Sequence, residues 1–220
     1  MKKLVCGEDF NKEAGRLLAM YGWENRLHKE GYLTIAGVDE AGRGPLAGPV
    51  VAAAVILGRK ENLSVWSGIN DSKQLSPKKR ETLYMVVLEQ TLSVGVGIVD
   101  ADVIDAINIH RASLQAMKEA LEQLKPAPDY ILADGFCIPG VLQPQEAIIK
   151  GDKLSLSIAA ASIVAKVTRD RLMAEYDRLY PEYGFAQHKG YPTEKHRKAI
   201  EVYGPSEIHR KTFRRAGFRI

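Results

Sequence analysis

Short apolar runs and longer amphipathic stretches alternate along the chain, which predicts a domain built from both strands and helices. The strand candidates are short, apolar and bounded by turn residues; they cover residues 32–38, 49–57, 92–99, 130–133 and 146–149. Two of these runs are almost continuously apolar, as expected for strands that are covered on both faces. Such strands belong to a sheet with other elements on either side.

Amphipathic stretches predict helices over residues 10–30, 78–91, 108–125 and 157–179, and a last one after Thr193 that ends near Gly204. Ser76 before Pro77 is a typical N-cap with proline at the first helical position. The alanine-rich start of the helix at 157–179 indicates close packing against the sheet. The first strands follow one another with short or irregular connections and the later ones alternate with helices, so we predict an α/β fold with a mixed sheet flanked by helices.

The totals favour one soluble domain. With 220 residues, 45% of them apolar and 26% charged, the chain can bury a substantial core. Residues 1–31 form a charged, helical leader before the predicted sheet domain at 32–220. No run reaches the roughly 18 apolar residues of a membrane span, and two distant cysteines indicate neither a disulfide framework nor a zinc site. We expect a cytoplasmic monomer with no membrane partner.

Positive charge is concentrated towards the C-terminus. Residues 187–220 contain nine lysines and arginines against three acids, a net charge of +6, whereas the whole chain carries +4. The rest of the chain is therefore slightly acidic. A basic end on such a body suits a polyanionic partner such as nucleic acid, although a solvated surface explains it as well.

Four acids stand where predicted strands end. Asp39 and Glu40 close the first apolar run, Asp134 follows YILA, and Asp152 follows the run EAIIKG. Acids at the carboxyl ends of neighbouring strands converge in α/β folds, and converging carboxylates need cations. Oxygen ligands suit Mg²⁺ or Mn²⁺, which can assist phosphodiester hydrolysis. Taken singly, each acid is more often a turn residue, and Asp170 competes with Asp152 for the fourth place.

Three polar loops supply candidate ligand contacts. Glycine loops bring backbone groups close to a sugar-phosphate chain, and an exposed aromatic ring can stack on a sugar or base. The candidates in these loops are Gly42, Arg43, Gly44, Asn70, Lys73, His188, Lys189 and Tyr191. Each has an ordinary structural alternative: a tight turn for the glycine loop, a helix cap for the second loop and a buried core residue for Tyr191.

Six motifs in a fixed order resemble bacterial ribonuclease HII, the type 2 ribonuclease H family. They are GVDEAGRGPLAGPV, NDSKQLS, YILADG, IIKGD, ASIVAKVTRD and YGFAQHKGYPT, and the resemblance extends from about residue 33 to about residue 213. It implies a ribonuclease H-like fold with a helical C-terminal part. It also implies cleavage of RNA–DNA hybrids, and of duplex DNA on the 5′ side of single embedded ribonucleotides, leaving 5′-phosphate and 3′-hydroxyl ends.

The resemblance also assigns roles by motif. The four catalytic, metal-binding carboxylates would be Asp39, Glu40, Asp134 and Asp152, which settles the contest with Asp170. The backbone of Gly42, Arg43 and Gly44 would recognise the ribonucleotide 2′-hydroxyl, and Tyr191 would stack on the next sugar. This division agrees with physical expectation, because the 2′-hydroxyl is what distinguishes RNA from DNA at one nucleotide. The implied cofactor is Mn²⁺ or Mg²⁺, and the implied partner is an RNA–DNA hybrid or ribonucleotide-containing duplex.

One departure and three rival functions remain at this point. Ala159 stands where the family commonly has serine, so a hydroxyl that could order the site or contact a phosphate is missing. A junction-cleaving nuclease of the same fold would share the carboxylates but have no use for a 2′-hydroxyl loop. A nucleic-acid-binding module would have lost catalysis, and a phosphosugar-binding protein would use the glycine loop but not the basic end.

Overall fold

In the computed structural model, the chain folds into a central mixed sheet with helices on both faces. The structure describes residues 6–58, 62–215 and 218–219. The strands are β1 (Ile35–Ala41), β2 (Val50–Ile56), β3 (Ser93–Val99), β4 (Tyr130–Asp134), β5 (Gln145–Ile148), β6 (Arg214–Arg215) and β7 (Phe218–Arg219). The helices are α1 (Cys6–Met20), α2 (Gly22–Lys29), α3 (Pro77–Gln90), α4 (Ala101–Ile107), α5 (Ile109–Glu122), α6 (Gly151–Leu154), α7 (Leu156–Leu179), α8 (Phe185–His188) and α9 (Glu194–Tyr203).

The order of strands in the main sheet is β3-β2-β1-β4-β5. β1, β2 and β3 are antiparallel neighbours, although α3 lies between β2 and β3 in the sequence, whereas β4 and β5 run parallel to β1. β6 and β7 pair separately. The predicted α/β fold with a mixed sheet is therefore confirmed. Among the described helices, none has the length and apolar content needed to cross a membrane.

Both faces of the sheet are covered, because successive side chains of a strand point to opposite faces. Every residue of β2 is buried. Ala53 and Val55 pack with apolar residues of α3 and α7, whereas Ala52 and Ala54 pack against α5 on the other face. For β2, the prediction that a continuous apolar run marks a strand covered on both faces is confirmed, whereas β3 keeps Ile98 exposed.

Two boundaries differ from the sequence prediction. The stretch predicted as one helix at 10–30 belongs to two helices, α1 and α2. α2 begins at Gly22, and glycine is a residue type that weakens a continuous helix. β1 runs over Ile35–Ala41, so Asp39 and Glu40 lie within the strand, where they pair with β2, and not after it. The four-residue helices α6 and α8 are too short for a helical period to appear in the sequence.

The described part of the leader packs into the domain. Leu17 of α1 lies in the same apolar cluster as Trp66 and the start of α7, and Leu27 of α2 packs with strands β1 and β4. Glu24 is also buried, and its Oε1 accepts hydrogen bonds from both the amide and the hydroxyl of Ser157 and from the hydroxyl of Ser155. This carboxylate therefore lies at the N-terminus of α7, where the helix dipole favours negative charge.

Replacing Glu24 with Ala is expected to lower the free energy of unfolding by about 2 kcal/mol, because three hydrogen bonds to a charged acceptor are lost. Urea unfolding measures this difference. The matched control is Glu30→Ala, since Glu30 of the same helical region is exposed and its ion pair with Arg26 spans 3.9 Å. Equal midpoints for wild type and Glu24→Ala would show that this contact adds nothing to stability.

Candidate active site

The predicted carboxylates meet at one edge of the sheet. The parallel register of β1 and β4 places Asp39 beside Asp134 at the ends of the two strands. The amide of Gly151 donates a 2.7 Å hydrogen bond to Asp134 Oδ1, which fixes the start of α6 and brings Asp152 to the same edge. The hydrogen bond from the amide of Glu40 to Asp39 Oδ1 is also 2.7 Å long. The fold thus gathers carboxylates from three separate segments.

These carboxylates repel one another in a buried setting. Burial raises the pKa of Asp39 well above its ordinary value, and the charges of the other three carboxylates raise it further. Burial also raises the pKa of Glu40, although Arg43 opposes this shift. The pKa of Asp152 is raised by burial and then by neighbouring carboxylates. A cation at this edge would relieve the repulsion and favour the ionised forms of Asp39, Glu40 and Asp152.

The donors present fit a hard divalent cation. All four candidate ligands are carboxylates, and the Oε2 atom of Glu40 is buried without a hydrogen-bond partner, so one oxygen is left for a cation to satisfy. Within the described residues, no three Asp, Glu, His or Cys side chains already surround a point where an ion could sit. The site is therefore a group of neighbouring donors and not a preformed cage.

Lys73 supplies the main positive charge among these acids. Burial acts to lower the pKa of Lys73, but the charges of Asp39, Asp152 and Asp71 outweigh it and leave the pKa above its ordinary value. Asp71 itself is buried, caps the turn that carries Lys73 and lies 3.8 Å from Lys153 Nζ. The sequence pattern indicated Lys73 but missed Asp71, whose acidic side chain in the NDSKQLS loop was the available signal.

Arg43 lies between an acid and an aromatic ring. Its Nη1 is 3.2 Å from Glu40 Oε1, and its guanidinium lies over the ring of Phe136, 5.4 Å from the centroid. Phe136 follows Asp134 by two residues, is 44% exposed and meets His110 edge-on. The sequence prediction did not include Phe136, because a single aromatic residue after a turn carries no periodic signal.

Two buried arginines hold the glycine loop in place. Arg210 is completely buried and donates hydrogen bonds to the carbonyls of Gly42, Arg43, Pro45 and Gly48, at distances of 2.7–3.3 Å. Gly42 has φ +100°, and a side chain there would collide with Arg169. The loop conformation therefore depends on a residue 168 positions away in sequence.

Arg169 joins the glycine loop to the loop that carries Tyr191. It donates to the carbonyls of Pro49 and Ala47 at 2.9 and 3.0 Å and, through Nη1, to the carbonyl of Lys189 at 3.0 Å. Burial lowers the pKa of Arg169 to about 10, so the side chain stays charged at neutral pH. Tyr191 is 42% exposed and lies close enough to Lys73 to affect its pKa. Both candidate recognition loops thus adjoin the carboxylates.

The remaining sequence candidates have internal roles. Both ring nitrogens of His188 bond to backbone groups, of Tyr183 and Gly190, and Asn70 Oδ1 accepts from the next amide. The carbonyl of Lys189 accepts from Arg169 while its side chain lines a surface groove. Ala159 is fully buried in the apolar core, so a hydroxyl there would not reach a phosphate.

Two other residues are placed differently from the simplest sequence interpretation. Asp170, the rival of Asp152 for the fourth place, forms ion pairs with Lys166 at 2.6 Å and with Arg80 at 3.4 Å. Arg210 was counted with the basic C-terminal surface, but it lies inside the fold because backbone carbonyls surround it. One of the nine positive charges is thus structural.

Acids at the ends of neighbouring strands in this mixed sheet, beside a rigidly held glycine loop, define the chain as a nuclease of the ribonuclease H-like class. The family model for ribonuclease HII matches residues 36–218. The ribonuclease HII of Geobacter sulfurreducens is 57% identical over 196 residues, 89% of each chain, and that of Clostridioides difficile is 52% identical over 206 residues, 94% of this chain and 80% of its own. The chain belongs to the ribonuclease HII family, metal-dependent endonucleases that cleave RNA in RNA–DNA hybrids and at embedded ribonucleotides.

Solved structures show the same fold. The ribonuclease H2 of Pyrococcus horikoshii OT3 superposes with a TM-score of 0.70 at 30% identity, covering 82% of this chain and 94% of that one. The ribonuclease HII in the PCNA complex from Archaeoglobus fulgidus gives 0.69 at 25% identity, covering 84% and 96%. Bst-RNase HIII, solved in complex with Mn²⁺, gives 0.59 at 20% identity over 80% and 65%, a likeness of fold.

Proposed function

We propose that Asp39, Glu40, Asp134 and Asp152 hold one or two divalent ions, Mn²⁺ or Mg²⁺, at the scissile phosphate of a ribonucleotide in duplex DNA. The cut falls on the 5′ side of the ribonucleotide and leaves 5′-phosphate and 3′-hydroxyl ends. The observation that supports this is the cluster of buried and half-buried, mutually repelling carboxylates beside a glycine loop fixed by two buried arginines. Mn²⁺ in the structure of Bst-RNase HIII supports an ion of this type.

The chain's own groups have separable tasks in this reaction. When bound, the metal ions lower the pKa of an attacking water and stabilise the leaving oxygen. The carboxylates hold and orient that charge, and Asp134 is itself oriented by the amide of Gly151. Lys73, held among the acids, offers a positive charge to the phosphate without displacing them. Arg43 is engaged by Glu40 and Phe136, which leaves recognition to the loop backbone.

Recognition of the sugar follows from the rigidity of the two loops. The carbonyls of Gly42 and Arg43 face Arg210, so the loop backbone cannot rotate freely and its position relative to the carboxylates is fixed. A site that hydrogen-bonds a hydroxyl rejects the deoxy sugar, because buried polar groups are then left unpaired. The exposed ring of Tyr191 provides a face for stacking on the adjacent sugar. Cleavage is therefore tied to the RNA–DNA junction.

A labelled DNA duplex with one ribonucleotide tests this function. We expect a single nick on the 5′ side of the ribonucleotide with Mn²⁺ or Mg²⁺, no nick with chelator and none in the matched all-DNA duplex. Cutting of the all-DNA duplex would favour a junction-type nuclease. Salt-sensitive binding of a folded protein without nicking in either metal would identify a binding module and contradict the proposal.

A further inference from the structure

Two buried histidines and one half-buried histidine lie together next to the loop that carries Tyr191. His196 of α9 and His209 of the following segment are both completely buried, and their Nε2 atoms are 3.0 Å apart. The ring of His188 stacks on that of His196, with centroids 4.4 Å apart and planes inclined by 16°. These groups have no part in the chemistry described above, and no sequence pattern indicated that they form one cluster.

The direction of each hydrogen bond in this cluster is fixed by its ends. His196 Nδ1 is 2.9 Å from the carbonyl of Tyr191, which can only accept, so Nδ1 carries the proton and Nε2 accepts in the neutral ring. His209 must then donate from Nε2, and its Nδ1 accepts from the amide of Ser206 at 2.9 Å. The chain of bonds therefore runs in one direction, from Ser206 through both rings to Tyr191.

Burial keeps both rings in this neutral state. It lowers the pKa of His196 and of His209 to about 4 in each case, below the pKa near 6.5 of an exposed histidine. The aromatic ring of Phe185 meets His196 edge-on, and that of Tyr183 lies 5.0 Å from His209. The packed rings and the lowered pKa values favour the neutral form of His196, which donates to Tyr191.

The backbone of Tyr191 is hydrogen-bonded through both its amide and its carbonyl, whereas its side chain is partly exposed. Its amide donates to the carbonyl of His188 at 2.9 Å, its carbonyl accepts from His196, and its side chain is 42% exposed near Lys73. A fixed backbone places the Cβ atom of Tyr191 and so limits the ring to the directions that its side-chain rotamers allow. The histidine cluster therefore contacts the backbone of Tyr191, the residue whose ring the proposed function uses as a stacking surface.

We propose that His209 and His196 are positioning residues that orient Tyr191 towards the sugar next to the ribonucleotide. This inference rests on the proposed function of Tyr191 as the stacking residue. His209 is the neighbour of Arg210 in sequence, so the segment 206–210 contacts both recognition loops: Arg210 holds the glycine loop, and His209 acts through His196 on the loop of Tyr191. Neither histidine touches the reacting atoms.

A double-mutant cycle with Tyr191 tests the proposal. His209→Phe keeps an aromatic ring but removes the donor to His196, whereas the amide of His209→Gln can still donate. We expect kcat/KM for nicking at a single ribonucleotide to fall roughly tenfold in His209→Phe and to recover largely in His209→Gln. In a Tyr191→Ala background, His209→Phe should cause no further loss, because it acts only through Tyr191.

Three controls make the outcome decisive. Nicking by the wild type is measured first, so failure of the proposed function appears there and not in the variants. Glu24→Ala provides a destabilised protein with an unaltered Tyr191 loop, and it should nick as the wild type does below its melting temperature. If His209→Phe does not fold, the same cycle is run with His196→Phe, which removes the donor to the carbonyl of Tyr191.

Two results would overturn the positioning role. One is an equal loss from His209→Phe with and without Tyr191, which would show that the histidine acts independently of that ring. The other is unchanged nicking by a folded His209→Phe whose Tyr191→Ala counterpart is impaired. In both cases the pair would be part of the core alone, while the assignment of Tyr191 and of the nuclease would stand.

Discussion

Replacing Asp134 with Asn is expected to reduce nicking at a single ribonucleotide by about a thousandfold or more. The carboxylate lies beside Asp39 at the strand ends, and asparagine keeps its shape and its hydrogen bond from Gly151 while removing the negative charge. Metal ions stabilise charge in such reactions by several kcal/mol, and each 1.4 kcal/mol is a factor of about ten in rate. Single-turnover nicking with Mn²⁺ and with Mg²⁺ measures the loss.

Binding and a matched acid separate this effect from misfolding. Affinity for the duplex should be almost unchanged in Asp134→Asn, because in the proposed function the carboxylate binds the metal and not the nucleic acid. Asp170→Asn is the control: Asp170 pairs with Lys166 of its own helix and with Arg80 of α3, and nicking should persist in that variant once it is folded. Full turnover by Asp134→Asn would remove Asp134 from the metal site.

Replacing Arg210 with Lys should both destabilise the protein and weaken discrimination of ribonucleotides from deoxyribonucleotides. Lysine keeps a positive charge but cannot reproduce five hydrogen bonds from a planar guanidinium to four backbone carbonyls. With buried carbonyls left unpaired, we expect the free energy of unfolding to fall by about 3 kcal/mol. Because the glycine loop then loses its fixed position, nicking at a ribonucleotide should fall at least tenfold in the folded fraction.

Lys211→Ala is the control for Arg210, since Lys211 is the adjacent, exposed cation. Burial, and then the charge of Arg169, lower the pKa of Arg210 to about 9, which still leaves it charged at neutral pH. If Arg210 served only as part of a basic surface, lysine would substitute for it and Lys211→Ala would be as harmful. Urea unfolding together with nicking of single-ribonucleotide and all-DNA duplexes distinguishes these cases. Wild-type stability and selectivity in Arg210→Lys would refute the structural role.

The comparison of Asp170 with Asp152 shows the limit of what a local sequence pattern can predict. Both are acids near basic residues, and their positions in the sequence did not decide which of them is the fourth carboxylate of the site. The motif resemblance chose Asp152, and the structure shows a reason: α6 begins at the Gly151 that bonds to Asp134. This contact joins two residues that are 17 positions apart, with a strand and a turn between them. Neither helical nor strand periodicity in the sequence predicts such a contact.

The sequence by itself determined the sheet, its covered faces and the acids at its strand ends, because apolar period and turn chemistry are local properties. Its ordered motifs also indicated the family. Only the tertiary structure decided that Arg210 lies inside under the glycine loop, that Asp71 and Phe136 adjoin the carboxylates, and that two histidines support Tyr191. These roles depend on which distant segments pack together. The identity of an arginine or histidine does not reveal whether the folded protein buries or exposes it.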